Sequence, residues 1–168
     1  MSSPITTSAR RNDRVRVAAW ARERIADPAT IFLDTETTGL GASAEIIDLA
    51  VVDLRGEVLI DTLIAPSGPI PPETTRVHGI VDADVAGAPT WAAVYPALAE
   101  LLARRPVVVY NAAFDRRMIA NCCVATGFDQ PAGEWHCAMQ HYAIWAGVRS
   151  SHRHRRYRLH KLGDALAA

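Results

Sequence analysis

The sequence predicts an α/β fold, in which a sheet of buried strands is flanked by helices. Three observations carry this prediction. A short apolar strand at 31–33 is followed by two longer apolar stretches, 46–54 and 58–65, with a glycine-containing turn at 55–57 between them. These three strands predict an antiparallel arrangement. Further along, the apolar strand 107–110 lies between two stretches with helical spacing, which is typical of an α/β sandwich.

Length and composition predict one domain. The chain has 168 residues, of which 49% are hydrophobic. Residues 1–12 are small and polar and predict a flexible tail, which leaves 13–168 as the single domain. The sequence has neither the long apolar run of a membrane span nor a signal-peptide pattern, so we expect no membrane contact and a cytoplasmic location. The odd set of three cysteines predicts reduced, mostly buried thiols.

The N-terminal part of the predicted domain begins with an amphipathic helix over 13–26. Asp27-Pro28 is predicted to end this helix, because a residue that precedes proline disfavours helical geometry. Its apolar residues, expected to cover one face of the domain, are Val15, Val17, Ala18, Ala19, Trp20 and Ile25. Residues 66–73 contain too many prolines for regular structure and predict a connection.

The C-terminal half is predicted to be mainly helical around the strand 107–110. One helix opens at Pro89 and runs to Arg105 in spite of Pro96, and another ends just before Gly127. The predicted helices and loop of this half are 89–105, 114–125, 136–147, the basic loop 148–158, and 159–167 as the start of a last helix. Core positions are expected for Trp91, Trp135 and Trp145.

The zero net charge conceals a segregation of charge along the chain. Residues 1–24 carry +4, residues 25–103 carry −10, and residues 104–168 carry +6. This pattern suits an enzyme whose bound cations mediate contact with a polyanion. The arginines of the basic loop are expected either to be solvated or to touch phosphates, and they are Arg149, Arg153, Arg155, Arg156 and Arg158.

Two carboxylates stand close together at the first apolar strand. Asp34 and Glu36 are two residues apart, so the period of a strand places both side chains on one side of the sheet. Like charges aimed at one point repel each other unless a cation lies between them, and Mg²⁺ or Mn²⁺ prefers such oxygen ligands. The alternative is that the pair only caps the turn at Gly39.

A third carboxylate, Asp115, strengthens the chemical interpretation. It follows the buried strand 107–110 and opens a helix, where strand ends converge in α/β sheets. The segment 110–115, which leads to Asp115, begins with Tyr110, an aromatic residue able to stack on a base. The alternative is that Asp115 only stabilises the first turn of its helix through the helix dipole.

Three ordered motifs resemble a known enzyme family. They are D-T-E-T-T-G-L at 34–40, V-H-G-I at 77–80 and Y-N-A-A-F-D at 110–115. In order and spacing they resemble the DEDD family of 3′–5′ exonucleases, in its histidine-containing branch, which includes the proofreading subunit of the bacterial replicative polymerase and ribonuclease T. The resemblance covers roughly residues 29–167. It implies a ribonuclease-H-like fold with a mixed five-stranded sheet flanked by helices.

The resemblance also implies a site. Asp34, Glu36 and Asp115 would be three of the four acidic ligands of two Mg²⁺ or Mn²⁺ ions, which activate a water and stabilise the leaving oxygen. The product would be a nucleoside 5′-monophosphate. The residues implied to lie against the 3′-terminal nucleotide are Thr37, Gly39, Leu40, His78, Asn111 and Phe114.

The family's third motif, H-x-x-x-x-D near the C-terminus, has no full match. His160 and Asp164 are one residue too close together, although a helix would place an i,i+4 pair on one face. One interpretation makes them a displaced substitute for the motif. The other, which we favour, assigns this segment to the helix that precedes the motif, with Leu159, Leu162 and Leu166 facing the core. This chain would then stop before the third motif and be nearly inactive, whereas the intact gene product would be an enzyme.

The predicted function is therefore metal-dependent removal of nucleotides from single-stranded or frayed DNA 3′ ends. One alternative keeps the fold and makes RNA the substrate. A second is a non-catalytic module that binds nucleic acid or a polymerase. The sequence indicates neither an oligomeric state nor whether the protein works alone in repair or trimming, or beside a DNA polymerase in proofreading.

Overall fold

A computed structural model describes residues 7–152 and 156–167. The strands of this part of the chain form one mixed sheet in the order β3-β2-β1-β4-β5. They are β1 (Ile31–Thr37), β2 (Ile46–Asp53), β3 (Val58–Leu63), β4 (Val107–Val109) and β5 (Trp135–Cys137). The first three strands are antiparallel neighbours, whereas β4 and β5 run parallel to β1. The predicted five-stranded mixed sheet is confirmed.

Helices flank the sheet, as expected for an α/β fold. They are α1 (Thr7–Ala26), α2 (Pro72–His78), α3 (Asp82–Val85), α4 (Trp91–Arg104), α5 (Ala112–Thr126), α6 (Ala138–Ala146) and α7 (Leu162–Leu166). Gly127 ends α5 in the left-handed conformation that glycine adopts easily, at φ 75°. Within the described ranges, every helix is too short or too polar to cross a bilayer.

The main core lies between the sheet and helices α4 and α5. Apolar side chains of β1, β2 and β4 meet those of the two helices in one buried cluster. Its fully buried members include Ile31, Leu49, Leu98, Leu102, Val107 and Met118. Cys122 and Cys123 are free thiols buried in this cluster, and Cys137 is a half-buried free thiol. This core fixes β1 and the start of α5 relative to each other.

The N-terminal prediction was wrong about where the first helix begins. Of the tail assigned to residues 1–12, residues 7–12 belong to α1, and residues 1–6 lie outside the described part of the chain. Tertiary contacts hold this end of the helix: Tyr157 donates a hydrogen bond to Asp13 at 2.6 Å, and Arg156 lies 3.2 Å from the same carboxylate.

The predicted apolar face of α1 is only partly buried. Val17 is buried and Trp20 is half-buried, whereas Val15 and Ile25 are exposed by 62% and 69%. The helix packs mainly on α6, and this one neighbour is too narrow to cover every apolar residue of α1.

Three further predictions need correction. Residues 72 and 73 begin α2 instead of ending a connection, because proline is favoured in the first turn of a helix. Residues 136 and 137 belong to β5, since pairing with β4 outweighs their local helical pattern. Leu162 and Leu166 are exposed instead of facing the core, because α7 is only five residues long and lies at the surface.

The core position of Leu98 predicts a large loss of stability on truncation. Leu98 is 0% exposed, so Leu98→Ala removes buried methyl groups and leaves a cavity. We expect the free energy of unfolding in urea to fall by about 3 kcal/mol. The same substitution at Leu166, which is 80% exposed, is the matched control, with an expected change within about 0.5 kcal/mol. Equal losses at both positions would contradict this assignment of the core.

Candidate active site

The central strand β1 presents different side chains on its two faces. Asp34 and Glu36 project from the more exposed face, whereas Thr35 and Thr37 are buried on the other. Thr35 Oγ1 donates a hydrogen bond of 2.8 Å to Oδ1 of Asp115, in the first turn of α5. This bond holds the start of α5 against the strand that carries the other two carboxylates.

Asp115 is the most buried of the three carboxylates, with 3% of its surface exposed. Burial raises the pKa of its carboxyl group to about 6, because the charged form loses its hydration. The hydrogen bond from Thr35 opposes this shift, and the nearby charges of Asp34 and Glu36 reinforce it. The three carboxylates thus share one electrostatic environment.

The two carboxylates of β1 are also perturbed. Desolvation raises the pKa of Asp34, and a backbone hydrogen bond opposes the shift. Desolvation raises the pKa of Glu36 as well, and the charge of Asp34 adds to that shift. A cation placed among these groups would lower all three pKa values, because it favours their charged forms.

The chemistry of these side chains fits a hard divalent cation. Asp34, Glu36 and Asp115 offer only oxygen ligands, and their mutual repulsion is relieved by positive charge. Among the residues that the structure describes, no three His, Cys, Asp or Glu side chains are already gathered around one metal position.

Sequence reasoning missed a fourth carboxylate at this site. Asp48 on β2 lies opposite Glu36 in the antiparallel register. Its charge raises the pKa of both Asp34 and Glu36. An acid inside the apolar stretch 46–54 was a visible clue, but only the pairing of β1 with β2 places it beside Glu36.

His78 lies close to this acidic group. It lowers the pKa of Glu36 and of Asp48. Its Nδ1 accepts a hydrogen bond of 3.1 Å from the backbone N–H of Ile80, while Nε2 is buried with no hydrogen-bond partner among the described residues. Gly79, at φ 84°, ends α2 directly after the histidine and turns the chain there.

The other residues expected to contact a nucleotide are arranged around the carboxylates. Thr37 is buried and donates a hydrogen bond of 2.8 Å to the carbonyl of Gly39, which shapes the loop after β1. Leu40 projects from this loop and is 76% exposed. Asn111 is exposed directly before α5, and Phe114 is half-buried at the edge of the core.

His160 and Asp164 lie near Tyr110, the residue that follows β4. The Tyr110 hydroxyl donates a hydrogen bond of 2.9 Å to the carbonyl of His160, and the charge of Asp164 raises the pKa of Tyr110. The structure thus brings both residues to the end of the sheet where α5 begins. Neither residue is among the groups that shift the pKa values of Asp34, Glu36 and Asp115. Those shifts come from the three carboxylates themselves, from Asp48 and His78, and from hydrogen-bond donors.

The basic loop predicted to touch phosphates is described only in part. Arg153, His154 and Arg155 lie outside the described residues. Arg156 pairs with Asp13, and Arg158 is exposed. Arg149 lies in a short bridge with Tyr157.

Comparison with known proteins agrees with this arrangement. Residues 31–167 match the family model of exonucleases. An uncharacterised exonuclease, CP81, of Escherichia phage 186 is 40% identical over 143 residues, covering 82% of this chain and 73% of the relative. Exodeoxyribonuclease 10 of Escherichia coli strain K12 is 32% identical over 121 residues, covering 71% of this chain and 50% of the relative. A solved structure of exonuclease X in complex with 5′ overhanging duplex DNA matches with a TM-score of 0.54 and 31% identity, over 73% of this chain and 68% of that one.

The mixed five-stranded sheet with its flanking helices is the fold of a ribonuclease-H-like exonuclease. The chain belongs to the DEDD exonuclease family, whose members are 3′–5′ phosphodiester hydrolases. The chain spans half the length of exodeoxyribonuclease 10.

Proposed function

We propose that this protein removes nucleotides one at a time from single-stranded or frayed DNA 3′ ends, with two Mg²⁺ or Mn²⁺ ions as cofactors. The observation that carries the proposal is the Thr35–Asp115 hydrogen bond, which joins residues 80 positions apart and holds three carboxylates in one environment. Divalent cations bound there would activate a water and stabilise the leaving 3′ oxygen. The product is a nucleoside 5′-monophosphate.

Each site residue has a proposed role. The ionised carboxylates hold the cations, and they belong to Asp34, Glu36 and Asp115. Thr35 keeps Asp115 in place through its hydrogen bond. The exposed Leu40 and the half-buried Phe114 pack against the terminal base and sugar. Others proposed to line the nucleotide are Thr37, Gly39, His78 and Asn111.

DNA is the favoured substrate because the descriptions of two similar proteins mention DNA. One is an exodeoxyribonuclease, and the other was solved with duplex DNA. The alternative substrate, RNA, requires no change in the three carboxylates. Association with a DNA polymerase rests on the resemblance to the proofreading subunit. The roles of His160 and Asp164 stay predictions.

Incubation of the full-length protein with labelled oligonucleotides tests the proposed function. With Mg²⁺ or Mn²⁺, a 5′-labelled DNA strand is expected to give a ladder that shortens from the 3′ end, and a 3′-labelled strand is expected to release labelled mononucleotide at once. A chelator should abolish both, since the carboxylates then lack their cations. A faster ladder with RNA would favour the exoribonuclease alternative. Binding without any ladder would contradict catalysis and leave the non-catalytic module.

A further inference from the structure

A groove between α1 and α6 carries an unusual concentration of arginines. It has a volume of about 560 Å³, and its charged lining residues are Arg10, Arg11, Arg14 and Arg22. All four are exposed residues of α1. The groove is closed on the other side by the end of α6, where Trp145 lies. We call it the arginine groove.

We propose that the arginine groove binds the phosphate backbone of a single-stranded nucleic acid whose 3′ end lies at the three carboxylates. This inference rests on the proposed function and adds a second binding surface to it. The four arginines of the groove lie on α1. This helix precedes residues 31–167, the part of the chain that matches the exonuclease family.

The positive charge of the groove is not paired with carboxylates of the described residues. In the described part of the chain, none of its four arginines forms an ion pair with a carboxylate. The two acids of α1 have other partners: Asp13 is bonded to Tyr157 and Arg156 and also lies 3.9 Å from Arg16, and Glu23 pairs with Arg24. An anionic ligand is therefore the natural occupant of the groove.

Trp145 adds an aromatic surface beside these charges. It is 47% exposed, although its residue type favours burial and the sequence predicted a core position. The Arg14 Nε donates a hydrogen bond of 2.8 Å to the Trp145 carbonyl, and its guanidinium carbon lies 5.5 Å from the ring centroid. Positive charge that follows a backbone, together with an aromatic ring on which bases stack, is the usual composition of a single-strand binding surface.

The groove lies toward the same edge of the sheet as the carboxylates. The parallel strands β1, β4 and β5 all end at that edge. Helix α6 continues from the end of β5, and α1 runs antiparallel to it: Arg24 contacts His136 in β5, Trp20 stacks on His141, and Arg14 contacts Trp145. The N-terminal half of α1 therefore extends beyond the edge where Asp115 lies.

The segment after α6 connects the groove with the site. Tyr157 and Arg156 hold Asp13 of α1, and a few residues later His160 accepts the hydrogen bond from Tyr110, at the end of β4. The segment 156–160 thus links α1 with the end of β4. An acidic peptide would also suit the charge of the groove, but this shared edge favours the strand on which the enzyme acts.

The groove is tested by neutralising three of its charges. The variant Arg10→Gln/Arg11→Gln/Arg22→Gln is compared with Arg55→Gln/Arg104→Gln/Arg105→Gln, which removes the same charge from other parts of the protein. Binding of a fluorescent oligothymidylate of about 20 nucleotides is measured by anisotropy, with a chelator present so that nothing is hydrolysed. The groove variant is expected to bind at least about ten-fold more weakly, and the salt dependence of its log Kd should fall by about 2, or about 0.7 for each lost phosphate contact.

Trp145→Ala separates stacking from charge. It is expected to weaken binding of the same oligonucleotide about five-fold or more, with an unchanged salt dependence. Circular dichroism confirms that each variant folds. Equal affinities of the wild type and the groove variant would overturn the proposal, as would an acidic peptide that binds the groove when the oligonucleotide does not.

The outcome for the groove is distinguishable from that of the proposed function. If the wild type produces a 3′ ladder but the groove variant binds DNA normally, the proposed role of the groove is wrong and the proposed exonuclease activity is supported. If the groove variant loses binding but the wild type makes no ladder, the proposed binding by the groove is supported and the proposed exonuclease activity is wrong. A strand of about 4 nucleotides, too short to occupy a whole groove, should be hydrolysed equally by both proteins.

Discussion

Asp34→Asn is expected to lower the rate of 3′-terminal hydrolysis by about 10³-fold, which corresponds to about 4 kcal/mol of transition-state stabilisation. Asparagine preserves the size of the side chain but removes the negative charge that would hold a cation. Since Asp34 is on the exposed face of β1, the core is left untouched. The measurement is the initial rate of mononucleotide release from a labelled DNA strand at saturating Mg²⁺.

Asp61→Asn is the matched control for this prediction. Asp61 is an exposed carboxylate on β3, separated from β1 by β2. It affects the pKa of Asp48 but is not among the groups that shift the pKa of Asp34. Its replacement should change the rate by less than about two-fold, which is below ~0.5 kcal/mol. Similar losses in the two variants would indicate a general effect of negative charge and contradict a specific role for Asp34.

The second large effect concerns stability, and it is expected from Asp115→Asn. The pKa of Asp115 is about 6 in the folded protein, against 3.8 as its ordinary value. Between these values the folded protein binds more protons than the unfolded chain, so its stability falls as the pH rises. The fully ionised carboxylate costs up to about 3 kcal/mol at neutral pH. Asparagine removes this cost and still accepts the hydrogen bond from Thr35.

Urea unfolding at two pH values measures this effect. In the absence of divalent ions, Asp115→Asn should be more stable than the wild type at pH 7.5, and the difference should nearly vanish close to pH 4. A variant that is less stable than the wild type at neutral pH would show that burial does not disfavour the charge of Asp115.

Addition of Mg²⁺ should reverse this order. A cation bound among the carboxylates stabilises the folded wild type by mass action, because the unfolded chain has no assembled site. The melting temperature of the wild type should therefore rise with Mg²⁺ concentration, and that of Asp115→Asn should rise less. Equal shifts in the two proteins would argue against Asp115 as a ligand.

Much of the fold, and the grouping of three carboxylates, could be predicted because their signals are local. The spacing of Asp34 and Glu36 places both on one face of a strand, and Asp115 lies in the first turn of the helix that follows another strand. Asp48 was missed because its position depends on the register between β1 and β2. That register is a property of two strands together, and the stretch 46–54 does not reveal it.

The errors elsewhere have a similar cause. Residues 136 and 137 have a helical pattern but pair with β4, so tertiary pairing decided their structure. Trp145 and Leu166 are apolar residues that the fold leaves exposed, because the helices that carry them lie at the surface. Hydrophobicity predicts that a residue is able to be buried, but the packing around it determines whether it is.

Helix α1 lies outside the segment that matches the exonuclease family, but it packs as part of the folded domain. The exonuclease family match begins at residue 31, after this helix. Trp20 nevertheless stacks on His141 with ring centroids 3.6 Å apart, and Arg24 is buried beside Glu134 and His136. A shortened protein that starts at Ile31 would keep every proposed catalytic carboxylate and lose the cover over α6. Homology therefore marks a different N-terminal boundary from the one that packing defines.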